Sequence, residues 1–95
     1  MLTGSTTVQR VDHTIDAVFQ DSLLLLDPVG GKYMELNPVA RRIWQLLETP
    51  TTVDHLCSTL TSEFNVPSSA CLEETQQLLE KMQALELLKI DRGTD

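Results

Sequence analysis

The sequence predicts an α+β fold in which a three-stranded antiparallel sheet is followed by three helices. Apolar residues recur with strand-like spacing in the first half and helical spacing in the second, and the pattern changes at Asn37-Pro38. The length of 95 residues, with 41% apolar and 22% charged residues, suits one small domain. Met1–Asp12 and Arg92–Asp95 are polar with little periodicity. We therefore expect a single domain over residues 1–95 with loose ends and an ordered core from residue 12 to residue 90.

Three short apolar segments, separated by turn-forming residues, account for the predicted sheet. The first strand lies within His13–Phe19, the second is the leucine run Leu23–Leu26, and the third is Lys32–Leu36, where polar and apolar residues alternate. The leucine run is compatible with a helix by propensity, but it is too short for one. Asp27–Gly31, with its proline and paired glycines, predicts a tight turn before the third strand. In this order the third strand lies at an edge of the sheet, with unpaired backbone groups.

Capping signals or short polar connections precede the predicted helices. The Asn-Pro pair at positions 37 and 38 predicts a first helix over Pro38–Glu48. Thr51–Asp54 resembles a capping box and opens a second helix that ends near Phe64. A third helix is expected over Ser69–Leu85, and Leu87–Ile90 is expected to be a short extended tail that packs on the core.

The balance of charges excludes several classes of partner. Fourteen acidic residues against seven basic ones give a net charge of −7. This charge repels phosphate groups, so nucleic acid and anionic membrane surfaces are poor partners. The longest apolar run, Leu23–Leu26, is far shorter than the roughly 18 residues of a membrane span, and no secretory signal pattern opens the chain. We expect a cytoplasmic protein with no membrane partner.

Two helices joined by a short connection, beside a small sheet, also predict a winged helix-turn-helix architecture. That architecture raises the possibility of a DNA-binding regulator. The third helix, however, carries Glu73, Glu74 and Glu80 before its first basic residue, Lys81. Because this helix would have to face the phosphates of DNA, the sequence disfavours a nucleic-acid partner.

The residue types that support catalysis do not occur here in a catalytic pattern. Gly30–Lys32 lacks the upstream glycine and the Ser or Thr of a phosphate-binding loop. His55 and Cys57 are two residues apart on a helix and therefore point to different faces. Cys57 and Cys71 have neither the spacing of a redox motif nor that of a zinc site. We expect both cysteines to be packing residues, and we predict no catalytic residue, no metal ligand and no cofactor.

The segment from the second strand to the first helix carries a recognisable set of motifs. It contains Leu-Leu-Asp at the end of the second strand, Gly-Lys-Tyr-x-x-Leu-Asn around the third, and Trp44 in the first helix. With the Thr-Val-Asp-His-Leu start of the second helix, this pattern resembles the PqqD-like family of precursor-peptide recognition domains. It is most similar to the stand-alone leader-binding proteins of lasso-peptide biosynthesis. The resemblance covers Asp12–Ile90. Two residues depart from the family pattern: many relatives have an aromatic residue in place of Met34, and they often have glycine in place of Glu86.

The resemblance implies a non-catalytic adaptor that binds the leader segment of a ribosomally made precursor peptide. In lasso pathways such an adaptor serves a leader peptidase of the transglutaminase-like cysteine protease type, followed by an ATP-dependent lasso cyclase. Three alternatives stay open: a chaperone of the precursor peptide in pyrroloquinoline quinone biosynthesis, a winged-helix DNA-binding regulator, and a partner-dependent enzyme subunit. The adaptor and each alternative except the regulator imply a protein of the bacterial cytoplasm that does not bind nucleic acid.

An exposed edge strand supplies a mechanism for this adaptor, because an extended peptide can add to it as a fourth strand. Ordering a flexible leader costs free energy, so the affinity must come from a few side chains that fill pockets. We expect these pockets between the third strand and the third helix; the alternative is that Met34, Leu36 and Leu78 are simply core residues. The predicted peptide-binding residues are Lys32, Tyr33, Met34, Glu35, Leu36, Cys71, Glu74, Thr75 and Leu78.

Overall fold

The structure, a computed structural model, describes residues 3–12, 14–20 and 22–91. These residues form six strands and three helices. The α+β prediction of a three-stranded antiparallel sheet followed by three helices is confirmed. In chain order the elements are β1 (Thr7–Arg10), β2 (Ile15–Phe19), β3 (Ser22–Asp27), β4 (Lys32–Leu36), α1 (Pro38–Leu46), β5 (Thr51–Thr52), α2 (Val53–Phe64), α3 (Ser68–Ala84) and β6 (Leu88–Asp91).

The predicted sheet is formed by β2, β3 and β4, paired antiparallel in that order. The bounds of β4 are those expected, because a tight turn precedes it and a helix cap follows it. In the β3–β4 register Leu25 lies opposite Met34 and Leu23 lies opposite Leu36, and all four side chains are buried. One face of this sheet therefore packs on the core, while β4 lies at its edge.

The helices begin where the capping residues predict, with small differences in length. The Ala40 N–H donates to Asn37 Oδ1 at 2.9 Å, and the His55 N–H donates to Thr52 Oγ1 at 3.1 Å. These side-chain oxygens satisfy backbone donors that have no partner within the helix. α1 ends at Leu46, two residues earlier than expected, and α3 begins at Ser68, one residue earlier. α2 ends at Phe64, as expected, and is capped by Asn65, whose φ of 53° is the left-handed conformation that asparagine tolerates.

A second sheet, which the sequence analysis did not predict, has the strand order β5, β1, β6. The expectation that the first twelve residues are loose is wrong for Thr7–Arg10, which forms the central strand of this sheet. Its buried residue, Val8, lies opposite Thr51 on one side and Ile90 on the other. The extended tail is confirmed as β6. Residues 1–2 and 92–95 lie outside the described residues.

Trp44 is the largest buried side chain of the described core. The Arg10 guanidinium lies 5.2 Å from the centre of the Trp44 ring and donates to the Trp44 carbonyl at 3.1 Å. A strand of the second sheet is thereby joined to α1. On the opposite flank Arg42 donates twice to the Glu63 carboxylate, at 2.9 and 3.0 Å, and links α1 to α2. This hydrogen-bonded pair raises the pKa of Arg42 and lowers the pKa of Glu63.

Glu86 follows α3 in a backbone conformation that residues with a Cβ rarely adopt. Its φ is 62°, in the left-handed region, where a residue without Cβ is favoured. The turn is closed by the Leu87 N–H, which donates to the Met82 carbonyl at 2.9 Å. The chain therefore makes a sharp turn after α3 and continues into β6. Among the described residues no helix is long and apolar enough to cross a lipid bilayer.

Candidate functional site

The outer edge of β4 is the first component of the candidate site. Among the described strands, β4 pairs only with β3, so one of its two sides is open. In an antiparallel pair alternate residues direct their N–H and C=O groups toward the neighbouring strand, and the residues between them direct theirs away. Every second residue of Lys32–Leu36 therefore presents backbone hydrogen-bonding groups to an additional strand.

The side chains of β4 point alternately to the two faces of the sheet. Met34 and Leu36 are buried against the helices, whereas Tyr33 is 69% exposed and Glu35 is exposed on the other face. The prediction that Tyr33, Met34 and Leu36 line one wall of a groove does not hold, because adjacent strand residues face opposite sides. The alternative that Met34 and Leu36 are core residues matches their burial. β4 can thus contribute to a site mainly through its backbone.

α3, together with the turn that follows it, lies near the two ends of β4 and runs in the opposite direction. At one end Lys32 Nζ lies 3.9 Å from Glu86 Oε2, just past α3. At the other end Asn37, which follows β4 directly, shares a cleft with Leu78. The two ends of β4 are thus close to residues of α3 or of the turn that follows it.

A cleft of about 310 Å³, which we term the α1–α3 pocket, lies where β4 ends. It brings together four residues that the sequence analysis assigned to the site, all on α3: Cys71, Glu74, Thr75 and Leu78. Thr75 and Cys71 are buried, Leu78 is partly buried, and Glu74 is exposed. The predicted α3 wall therefore exists as one surface, with an apolar interior and a carboxylate at its rim.

The opposite wall of the pocket was not predicted. It is formed by Asn37, Val39, Ala40 and Ile43 at the start of α1, together with Val66 in the connection between α2 and α3. Part of this wall could have been found in the sequence, because the Asn-Pro cap starts α1 directly after β4 and so places its first turn beside the strand end. Val39 lies one turn before Ile43, at the margin of the apolar stripe of α1, and is only partly buried. The contribution of Val66 depends on how the helices pack, which no local pattern encodes.

The two cysteines lie at the contact between α2 and α3. Cys71 Sγ is 3.9 Å from Thr75 Oγ1 and 4.0 Å from the Cys57 carbonyl oxygen. The expectation of a buried packing residue is confirmed for Cys71, while Cys57 is only partly buried. Burial raises the pKa of the Cys57 thiol. A thiol with a raised pKa is protonated at neutral pH and is a poor nucleophile.

Within the part of the chain that the structure describes, no group of three or more His, Cys, Asp or Glu side chains could hold a metal ion. The pocket interior is mainly aliphatic, and its polar atoms are those of Asn37, Thr75 and the Cys71 thiol. Such a surface suits the binding of an apolar side chain.

Comparison with known proteins identifies the family. Residues 22–88 match the family model described as coenzyme PQQ synthesis protein D (PqqD). The chain belongs to the PqqD family. The resemblance noted in the sequence is thereby confirmed, and the matched residues run from β3 to the start of β6, so they include both β4 and α3. No curated protein sequence matches this PqqD-family chain.

Two solved structures are similar to this PqqD-family protein. One is "TbiB1 in Complex with the TbiA(beta) Leader Peptide", with a TM-score of 0.73, 24% sequence identity, and coverage of 92% of this chain and 99% of that chain. The other is "Lasso peptide synthetase B1 complexed with the leader peptide", with a TM-score of 0.73, 22% identity, and coverage of 86% and 96%. At these identities the similarity establishes a shared fold.

Proposed function

We propose that this protein binds the leader segment of a ribosomally made precursor peptide by adding it as a strand to the open edge of β4. The observation that carries the proposal is the open edge of β4, with an apolar pocket where the strand ends. Both similar structures contain a leader peptide. Backbone hydrogen bonds to β4 would supply affinity for any extended peptide, and the α3 side chains would supply selectivity.

The nine predicted residues then divide into two roles. Lys32, Tyr33, Met34, Glu35 and Leu36 contribute the backbone of the acceptor strand, and Cys71, Glu74, Thr75 and Leu78 contribute side chains of the opposite wall. Because Tyr33 and Glu35 face away from the core, their side chains are free to contact residues of the leader that point to the same outer face.

The protein acts in this proposal as an adaptor and not as an enzyme. Its role is to deliver the leader to a leader peptidase of the transglutaminase-like cysteine protease type in lasso-peptide biosynthesis, ahead of a lasso cyclase, in the bacterial cytoplasm. The similarity to the structure of lasso peptide synthetase B1 complexed with the leader peptide, which covers 86% of this chain, supports this pathway. The raised pKa of Cys57 and the burial of Cys71 support a non-catalytic role.

A second candidate is a chaperone of the precursor peptide in pyrroloquinoline quinone biosynthesis, which the description of the matched family model favours. The two candidates share the binding mechanism and differ in the peptide and the partner enzyme. The genes beside this one distinguish them, since a short precursor, a peptidase and an asparagine-synthetase-like cyclase indicate a lasso pathway. The regulator has less support, because α3 exposes Glu73 and Glu80.

The proposed function predicts partner-dependent cleavage. The precursor peptide encoded beside this gene should stay intact with this protein alone, and the neighbouring peptidase should cleave it at least about tenfold faster when the protein is added, because recruitment raises the effective concentration. Mass spectrometry of timed samples measures both rates. Cys57→Ala, a substitution outside the residues that line the α1–α3 pocket, should retain the stimulation.

Two outcomes would contradict this assignment. Cleavage by the protein alone would make it an enzyme. A folded cysteine variant that still binds the leader but no longer stimulates cleavage would give that thiol a chemical role.

A further inference from the structure

We propose that Cys57 and Cys71 are a redox pair, which forms a reversible intramolecular disulfide that displaces one wall of the α1–α3 pocket and weakens leader binding. Formation of the disulfide stands on the geometry of α2 and α3 alone. Its effect on the peptide rests on the proposed function. The two parts of the inference are therefore tested by separate measurements.

The two thiols lie side by side where α2 packs against α3. Cys57 is in α2, and Cys71 is in α3, which follows after a short connection. Both cysteines are free, and Cys71 Sγ lies 4.0 Å from the Cys57 carbonyl oxygen, so it reaches the backbone of the partner residue. The Cys57 thiol is within hydrogen-bonding reach of the Cys71 thiol and of the Thr75 hydroxyl. The two sulfur atoms are thus neighbours across the helix contact.

Exposure decides the order in which the two thiols react. Cys57 is partly buried, whereas Cys71 is only 4% exposed, so a small disulfide such as glutathione disulfide reaches Cys57 first. The Cys57 thiolate attacks one sulfur of this oxidant, which forms a mixed disulfide and releases one glutathione thiolate. The Cys71 thiolate then attacks Cys57 Sγ and displaces the second glutathione. Two electrons pass to the oxidant, and the two leaving thiolates take up the protons that the cysteines lose.

The buried setting of the pair makes this exchange slow without changing its end point. Burial raises the pKa of the Cys57 thiol, so few molecules carry the thiolate at neutral pH. The equilibrium depends on the reduction potential of the pair relative to its surroundings, and not on the rate. In the cytoplasm proposed above, glutathione keeps the pair reduced, and an oxidising shift converts it. Cytoplasmic disulfides of this transient kind are usually catalytic or redox-sensing.

The disulfide affects the leader site because Cys71 belongs to both places. It lines the α1–α3 pocket, and its sulfur faces α2. An S–S bond is about 2.05 Å long, which is well inside the distance of any non-bonded contact. Closing the bond therefore pulls the first turns of α3 toward α2, and Glu74 and Thr75, which line the same pocket, move with them. Because packed interiors respond to small displacements, a leader would meet a wall of different shape.

The first measurement needs no peptide. The folded protein is equilibrated overnight in glutathione buffers that run from reducing to oxidising, and it is then denatured in excess N-ethylmaleimide. In oxidising buffer, intact mass spectrometry should show a species that has lost two hydrogen atoms and carries no maleimide. The control Cys71→Ser should stop at the mixed disulfide of Cys57 with glutathione. A wild-type protein that keeps both thiols, or that also stops at the mixed disulfide, would overturn the inference.

The second measurement uses a fluorescein-labelled synthetic leader segment of the precursor peptide encoded beside this gene. The oxidised protein should bind it at least about fivefold more weakly than the reduced protein, because the displaced wall no longer fits the peptide. A phosphine reductant should restore the affinity. Cys57→Ser is the matched control, since Cys57 lies outside the residues that line the pocket. This variant should bind like the reduced wild type in both buffers.

The outcomes separate the inference from the proposed function. If the reduced protein binds the leader segment and the oxidised protein binds it equally well, the proposed function stands and the redox control of the site is wrong. If the reduced protein does not bind the segment, the proposed function is wrong and the redox control of leader binding falls with it. The mass measurement still decides whether the disulfide forms.

Discussion

Replacing Leu78 by glutamate is expected to raise the Kd for the leader peptide by about 30- to 100-fold, equivalent to about 2–3 kcal/mol, because it places a charge in the apolar cleft between α1 and α3. Leu78 lines the pocket and is partly buried, so the carboxylate would displace apolar contacts without unfolding the domain. Isothermal titration calorimetry with the leader peptide measures the change. A thermal melt of the variant verifies that it is folded.

Leu72→Glu is the matched control for this variant. It is the same substitution on the same helix, but Leu72 is exposed, and six residues of helix place it about 120° from Leu78. We expect Leu72→Glu to bind the leader like the wild type. If the folded Leu78→Glu variant also binds like the wild type, the leader does not contact this wall of α3.

Replacing Val8 by aspartate is expected to lower the free energy of unfolding by about 3–5 kcal/mol, because it buries a charge without a partner. Val8 is 1% exposed and sits in the central strand of the second sheet, between β5 and β6. This loss is a large part of the total stability of a small domain. Urea denaturation followed by circular dichroism measures it.

The neighbouring residue provides the control for the N-terminal strand. Gln9 is half-exposed and points to the other face of β1, so Gln9→Asp should cost less than about 1 kcal/mol. Equal urea midpoints for Val8→Asp and the wild type would show that β1 does not pack against the core.

β4 was predictable to the residue because its determinants are local. The Asp27–Gly31 turn and the Asn37 cap bound it on both sides, and its apolar residues alternate. The same alternation places Met34 on the opposite face from Tyr33, so these two side chains cannot line one wall. Met34 and Leu36 are where their spacing requires them to be.

β1 was missed because its determinants are not local. Thr-Val-Gln-Arg has a single apolar residue and no turn signal, and its main partner, β6, is about eighty residues away in the sequence. A strand of this kind forms because tertiary pairing overrides weak propensity. The wall that α1 adds to the pocket was missed for a related reason, since the distance between α1 and α3 is set by the packing of the whole core.

The most direct test of the central claim is hydrogen exchange of the β4 amides with and without the leader peptide. In the free protein, β3 protects alternate amides of Lys32–Leu36, and the others face the open edge. Strand addition predicts that leader binding slows exchange at those open-edge amides, while the amides of β2, at the other edge of the same sheet, change little. Leader binding that protects β2 or α3 and leaves β4 unchanged would contradict the account.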